Sequence, residues 1–398
     1  MKGKEPVVRV GIMSAPEIEV KFLGDKNEFE LKDVTIGINF HWERKENQRF
    51  RGELEILRNE DGTATAVNAI PMEEYLKSVI SSEMSATSSM ELLKAHSVIS
   101  RSWLLAQIDR KRRYNGKDDP KAEDRSETEE KIVRWYDRDD HDKFDVCADD
   151  HCQRYQGVTR MTSKTVEEAV EATRGEVLMM DNEICDARFS KCCGGVMEVF
   201  QNCWEPKDHG YLRPLRDDEH PKENVPDLTV ESSAKDWIES EEASFCNTKD
   251  RALLEQVLNH YDREDISFYR WEETFLPGEL DNLVKERSGI DFGEILEITP
   301  VRRGPSGRIY LLKISGTKKT VLVGKELEIR KWFSKSHLKS SAFIVEKTPE
   351  GGWIMKGAGW GHGVGLCQIG AAVMASKGYG YKEILSHYFP GSTLEKIY

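Results

Sequence analysis

Glu83 closes the run Tyr75 to Met84, where Ile80 and Met84 bracket its carboxyl group and a loop of small polar residues follows. A carboxyl half removed from water in such a place suits general acid and base work. Most glutamates at helix ends are simply solvated, so residue type alone does not choose between the two. A second constellation runs from Gly357 to Gln368, with five glycines in nine residues framing Trp360 and His362. No register of it gives Gly-x-Gly-x-x-Gly, and the Lys-Ser/Thr ending of a phosphate loop is missing. Trp360 offers a ring face to a sugar, while His362 and Gln368 offer polar handles for hydroxyl or acetamido groups. A tight turn around a satisfied core histidine explains the same residues equally well.

The third constellation is His141, Cys147, His151 and Cys152, four nitrogen and sulfur donors within twelve residues. That set suits tetrahedral zinc in a closed, structural site. Adjacent His151 and Cys152 can both bind only if the backbone turns sharply between them, and a chance cluster in a His- and Asp-rich loop is the alternative. The fourth is Phe189 to Glu198, where Ser190, Cys192 and Cys193 lead into a Cys-Gly-Gly turn. No paired base is visible there, which favours a structural or substrate-lining turn over a nucleophile loop. Cys185, Cys192, Cys193 and Cys203 stay ambiguous between thiols and disulfides, and Cys246 and Cys367 stand apart.

The elements that must position these residues are legible as periodicity. Short strands are predicted at Val7 to Met13, Ile18 to Leu23, Thr35 to Phe40, Phe50 to Leu57 and Thr63 to Ile70. Pro71 opens a helix with Met72, Tyr75, Leu76, Val79 and Ile80 at helical spacing, and a second helix runs from Met90 to Gln107. Dense mixed charge from Asp109 to Asp142 reads as a solvated insertion, helical in part and mobile in part. A helix follows at Thr165 to Thr173, with strands at Val177 to Met180 and Ala187 to Ser190. Further on come a helix near Arg251 to Tyr261 and a short helix from Leu280. Strands at Glu294 to Arg302, Arg308 to Ile314 and Val321 to Val323 precede the Gly-rich loop and two closing helices.

Strands and helices intermix without a βαβ rhythm, so the fold class is α+β, with a substrate cleft and charged insertions. The chain divides into a β-rich segment at 1–70 and a catalytic core at 71–212 that carries the insertion at about 109–142. A second α+β lobe at 213–345 and a closing segment at 346–398 that completes the core follow. A net charge of −13 over 398 residues speaks against a nucleic-acid partner. No apolar run approaches the roughly 20 residues that span a bilayer, so no transmembrane segment is expected. Residues Met1 to Pro6 lead straight into strand-like alternation without the apolar region of a secretion signal. Export by another route, a leader outside this sequence and a cytoplasmic location all stay open on that ground.

Taken together, these stretches resemble the SpoIID/LytB family of bacterial sporulation and cell-wall proteins. The likeness runs through Asn68 to Val79, Ser82-Glu83-Met84 and Leu93 to Trp103, then Gln153, Tyr155 and Gly157 and the Cys-Gly-Gly turn with Trp204 beyond it. It continues through Ser306-Gly307-Arg308, Ile329-Arg330, Leu338 to Phe343, Gly359 to Gly365, Gln368 to Ala371 and Tyr388 to Gly391. The resemblance implies a lytic transglycosylase acting on peptidoglycan strands stripped of their peptides, with Glu83 as the single acid/base. It also implies a zinc held by His141, Cys147, His151 and Cys152, and a place in the cell envelope. Tyr75, Lys94 and Arg101 are expected near the cleft, with Ser190, Trp360, His362 and Gln368 as further substrate contacts. Some relatives are modifiers of autolysins, so a non-catalytic glycan-binding enhancer of a cell-wall amidase is the alternative function. The chain departs from the pattern at His96, Cys192 and Cys367, and in the length of its charged insertion.

Overall fold

Alternating apolar residues in the first part of the chain form six strands: β1 (Val7–Ala15), β2 (Val20–Phe22), β3 (Glu28–Ile36), β4 (Arg44–Arg51), β5 (Glu53–Arg58) and β6 (Ala64–Pro71). The computed structural model describes residues 3–24, 27–38, 43–85, 87–114, 126–136, 141–149, 151–161, 163–223, 225–257 and 266–398. Phe40, the parts of the charged segment at 115–125 and 137–140, and residues 258–261 of the helix expected to reach Tyr261 lie outside the described residues.

The expected strand Thr35 to Phe40 starts earlier, at Glu28, because Phe29, Leu31, Val34 and Ile36 all point inward. The register shifts between Leu31 and Val34, where Asp33 takes φ +54°, and this bulge interrupts the period of two that a sequence reading follows. The expected strand Phe50 to Leu57 is two strands, parted at Gly52. Its φ is +101°, and a Cβ there would lie 2.4 Å from the Ala69 carbonyl oxygen.

Strands β5, β6 and β1 pair antiparallel in that order, and the short strand Val146–Cys147 runs parallel to β1 beside Val10 and Gly11. That pairing plants Cys147 on the sheet edge. Strands β2, β3 and β4 form a separate three-stranded sheet. From β6 the chain turns at Pro71 into α1 (Met72–Glu83), which buries Met72, Tyr75, Leu76, Val79 and Ile80. Helix α2 (Met90–Tyr114) runs past the expected end at Gln107. Tertiary partners support the extra turns: Arg110 pairs with Glu205 at 2.7 Å, and the Lys111 ammonium donates to the carbonyls of His141 and Phe144. Helix α3 (Lys164–Ala172) begins at Ser163, whose hydroxyl accepts from the Val166 amide.

The second half contributes a meander of Ile295–Arg303, Ile309–Gly316 and Thr320–Gly324. The charged segment joins it. Lys131–Val133 pairs parallel with Thr320–Gly324, and Ser126–Glu127 pairs with Lys131–Val133 at the edge. Of the expected insertion, residues 109–114 are helical as the end of α2, whereas 126–133 form a pair of short strands, with Val133 and Trp135 buried. Strands Arg270–Phe275, Trp353–Ala358 and Phe343–Lys347 form another sheet. Buried apolar residues gather in a large cluster drawing on residues from Val8 to Phe389 and a smaller one spanning Trp271 to Met355. The architecture is α+β. Among the described residues, no helix is long and apolar enough to cross a membrane.

Candidate active site

Helix α1 ends at Glu83 because the chain turns extended at Met84, with φ −119° and ψ 152°. Glu83 is half-buried, and its Oε1 accepts a hydrogen bond from the Arg154 amide at 3.2 Å. The loop that supplies this amide is itself held. Gln153 accepts from the Tyr75 hydroxyl at 3.3 Å, and Tyr155 stacks on Tyr75 with ring centroids 5.2 Å apart. Behind Glu83, the Met84 sulfur receives the Gln368 side-chain amide at 3.7 Å, and Gln368 Nε2 lies 3.0 Å from His96 Nε2. The end of α1, the helix Gln368–Ser376 and α2 therefore meet directly behind the carboxyl group.

Burial, with a smaller contribution from Lys191, pushes His96 down to about 3 from 6.5, so it is neutral at pH 7. Below pH 6.5 the unfolded chain takes up a proton that folded His96 refuses until about pH 3. Stability present above the unfolded pKa is thus lost as the pH falls through that window. His96→Gln keeps an amide facing Gln368 and removes one such group. The fall of unfolding free energy with acid is then expected to be shallower by up to about 1.4 kcal/mol per pH unit, read from urea midpoints across the window. An unchanged slope would show that His96 is not the group resisting protonation.

The glycine-rich segment packs against the Cys-Gly-Gly turn. Trp360 and Cys192 exchange backbone hydrogen bonds at 2.8 and 3.0 Å, and half-buried Trp360 stacks on Phe268 at 4.8 Å. His362 Nδ1 accepts from the Val364 amide at 3.0 Å, which leaves the ring proton on Nε2. Burial, then the charges of Arg188, Arg308 and Arg330, hold His362 well below its ordinary value, so it stands neutral. Its ring meets the edge of Trp204 at 4.8 Å, and Arg188 lies 3.8 Å over the same tryptophan.

The glycines make room for Arg308. Its fully buried guanidinium donates to the carbonyls of Gly361 and Cys193, each at 3.0 Å, and to Ser306 Oγ at 3.1 Å. Gly363 has φ +75°, and a Cβ there would lie 2.5 Å from that guanidinium. Arg308 thus locks two of the predicted constellations together. Sequence reasoning placed it in a motif without seeing this role; the flanking Gly307 was the available signal.

Not every expected contact residue reaches a surface. Tyr75 and Gln368 are buried, and each is occupied as described. Arg101 sits wholly inside the core instead of beside the cleft, because Glu73 is buried there and needs its charge matched. The guanidinium forks onto Glu73 at 3.0 and 2.6 Å and donates to the Glu176 carbonyl at 2.9 Å. Lys94 pairs with Glu91 at 2.7 Å, and Glu91 accepts from the Tyr381 amide, so the pair ties α2 to the helix Tyr381–Tyr388. Ser190 is buried, and among the described residues its hydroxyl finds no hydrogen-bond partner.

His141, Cys147, His151 and Cys152 do converge, with ligand atoms all within 4.8 Å of one another. The sharp turn required between His151 and Cys152 is present: the Cys152 amide donates to the Asp149 carbonyl at 3.0 Å. His151 Nδ1 lies 3.5 Å from Cys152 Sγ and 3.9 Å from Cys147 Sγ. A tetrahedral ion with bonds of about 2.3 Å to sulfur and about 2.0 Å to nitrogen sets sulfur and nitrogen about 3.5 Å apart, so the donors fit. Hydrogen bonding from Cys152, against burial and aided by His141 and His151, holds the Cys147 thiol down to about 2. This group can hold a metal ion. A cavity of about 200 Å³ opens beside it, lined by His141, His151 and Arg154 among others, with Glu83 not in its wall.

Residues 60–180 match the family described as Stage II sporulation protein (SpoIID), and residues 198–365 match a Domain of unknown function (DUF8618). The SpoIID match and the relatives that follow make the chain similar to SpoIID/LytB proteins. Glu83 and the His/Cys cluster both fall within the SpoIID match, whereas most of the glycine-rich segment falls at the end of the second. The chain is 27% identical to an uncharacterized protein of Brachyspira hyodysenteriae over 342 residues, 86% of this chain and 71% of that protein. It is 24% identical to Stage II sporulation protein D of Bacillus subtilis over 335 residues, 83% of this chain and 76% of that protein. It is also 26% identical to the Amidase enhancer of Bacillus subtilis over 244 residues, 57% of this chain but only 32% of that longer protein. The SpoIID match and these relatives support a cell-wall-related function.

Proposed function

We propose that the chain is a lytic transglycosylase that cuts peptidoglycan glycan strands stripped of their peptides, using Glu83 as its only acid and base. The observation that carries this reading is the setting of Glu83: a half-buried carboxyl at a helix end, with Oε1 fixed by the Arg154 amide. Among the described residues, Oε2 makes no hydrogen bond. Protonated Glu83 gives its proton to the glycosidic oxygen as the bond to muramyl C1 breaks. The resulting carboxylate takes the proton of the muramyl C6 hydroxyl while that oxygen bonds to C1, closing a 1,6-anhydro ring without water. A hydrolase uses two carboxyl groups because it must also activate water, which this reaction does not consume. The half-exposed ring of Trp360 is suited to a sugar face, and His362 is proposed to act through the turn it holds. Lys94 and Ser190 are further proposed contacts, Tyr75, Gln368 and Arg101 acting only through what they position.

Mass spectrometry of denuded glycan strands after incubation with the protein tests the reading, with anhydromuramyl ends as the expected product. Reducing ends would indicate a hydrolase. Strands that bind without being cut would favour the second reading, a glycan-binding enhancer of a cell-wall amidase, which the similarity to the Amidase enhancer supports. From the glycan substrate we also propose a cell-envelope or extracytoplasmic location under either reading. The division at 70, 212 and 345 likewise stands as a proposal, with 346–398 completing the core.

We also propose zinc at His141, Cys147, His151 and Cys152. Four protein donors would fill a tetrahedral ion, so its contribution is structural, and an open-site zinc hydrolase is disfavoured. The Arg154 amide that meets Glu83 lies two positions beyond Cys152, so an ion there would anchor the chain just before it. Cys152→Ser or chelation is expected to release the ion, to speed tryptic cutting at exposed Lys143 about tenfold, and to reduce glycan turnover. Unchanged cutting at Lys143 after complete metal removal would sink the clamping role.

A further inference from the structure

Three cysteines far apart in sequence meet in the core, in a place the glycan reaction does not use. Cys193 lies in the Cys-Gly-Gly turn, Cys246 in the loop before the helix Arg251–Val257, and Cys367 at the start of the helix Gln368–Ser376. Their sulfurs and a carboxylate oxygen of Asp217 all lie within 4.8 Å of one another, and all four residues are buried. We infer that Cys193, Cys246, Cys367 and Asp217 form a second metal site, built for a single thiophilic divalent ion such as zinc and separate from the His/Cys cluster.

The spacing separates this from other uses of cysteine. Cys193 and Cys246 hold their sulfurs 3.6 Å apart. A tetrahedral ion with metal–sulfur bonds of about 2.3 Å sets two sulfurs about 3.8 Å apart, whereas a disulfide holds them at about 2.05 Å. An iron–sulfur cluster interposes several atoms between its cysteines and would spread them further.

The surroundings are those of bound thiolates. The Cys193 amide points at Cys367 Sγ at 3.3 Å, and the Gly195 amide points back at Cys193 Sγ at 3.4 Å. The second of these requires the tight turn through Gly194 and Gly195, with φ +83° and +105°. The His/Cys cluster repeats the device, with the Cys147 amide 3.5 Å from Cys152 Sγ. Cys367 is the N-cap of its helix, where the aligned peptide dipoles favour negative charge.

Asp217 is held in place by hydrogen bonds to both of its carboxylate oxygens. Its Oδ1 accepts from the Tyr388 hydroxyl at 2.7 Å, and its Oδ2 from the Cys246 amide at 3.0 Å and the Ser244 hydroxyl at 3.3 Å. His387 Nε2 stands 3.8 Å from Oδ1. A buried carboxylate is costly without a cation, and a bound ion would supply one. The Cys192 thiol is within hydrogen-bonding reach of Cys246 and Cys367, which makes it the alternative fourth donor. An ion here would fasten the Cys-Gly-Gly turn to the helix whose first residue, Gln368, packs on Met84 beside Glu83.

The test is a metal count, which does not depend on glycan turnover. The full chain is supplied with stoichiometric zinc under reducing conditions, desalted, and measured by inductively coupled plasma mass spectrometry. Two zinc ions per chain are expected for wild type, and one for Cys246→Ser. The Cys147→Ser/Cys152→Ser double variant should also keep one, with a sulfur-rich first shell in zinc-edge X-ray absorption. No ion in wild type, or none retained by the Cys147→Ser/Cys152→Ser variant, would overturn the proposal, as would an ion count unchanged by Cys246→Ser. A Cys193–Cys246 disulfide in a non-reducing peptide map of freshly purified protein would overturn it too. The wild-type count needs no variant to fold.

Discussion

Glu83→Gln is expected to lower kcat on denuded glycan strands by about 10²–10⁴-fold, the usual contribution of a positioned acid or base. That loss corresponds to about 2.7–5.4 kcal/mol of transition-state stabilisation. The amide keeps the size of the side chain and keeps an oxygen to accept from the Arg154 amide, so the fold and the cleft persist. It cannot protonate the leaving oxygen, nor take the proton of the C6 hydroxyl, so both halves of the reaction fail together. KM and equilibrium binding of strands should therefore change little while kcat collapses. Anhydromuramyl ends formed at the wild-type rate by this variant would remove Glu83 from the chemistry. A wild type that binds strands, cuts none and stimulates an amidase would pass the function to the enhancer reading.

Arg101→Ala should be the most destabilising single change, at about 3–5 kcal/mol, because it strands a partner charge in the core. Glu73 is buried, and besides Arg101 it accepts from the Gly175 amide at 3.1 Å and the Tyr398 hydroxyl at 2.6 Å. The pair thus joins the first turn of α1, the middle of α2, the turn that follows α3 and the chain's last tyrosine. Arg101→Lys keeps a charge but loses the two-pronged fit to the carboxylate, so it should fall between wild type and alanine. Replacing both members, as Arg101→Met with Glu73→Gln, should cost less than Arg101→Ala alone, since no charge is then left unmatched. Urea unfolding of the four proteins reads this out. A double variant less stable than Arg101→Ala would mean that the attraction itself, and not the stranded charge, dominates.

Much of what positions the site was legible along the chain. Helical spacing from Met72 to Ile80 located α1, which places Glu83 at its C-terminal end, and the apolar positions from Leu92 to Leu104 located α2. The spacing of His141, Cys147, His151 and Cys152 anticipated a convergence that the structure shows, because all four sit on one loop and need only a local turn. The bulge at Asp33 and the docking of Lys131–Val133 were not legible. One breaks the alternation that marks a strand, and the other is a strand only because Thr320–Gly324 offers it an edge.

The sequence by itself determined the α+β character, the helix that ends at Glu83 and the local donor set of the His/Cys loop. These follow from periodicity and short-range spacing, which report what neighbouring residues do. Only the tertiary structure decided that Arg101 serves the core, that Arg308 holds the glycine loop to the Cys-Gly-Gly turn, and that Cys193, Cys246 and Cys367 meet around Asp217. Each of those depends on the partner that a buried charge or thiol finds far along the chain. Local pattern carries no record of that choice, because burial forces a polar group to be satisfied without specifying by whom.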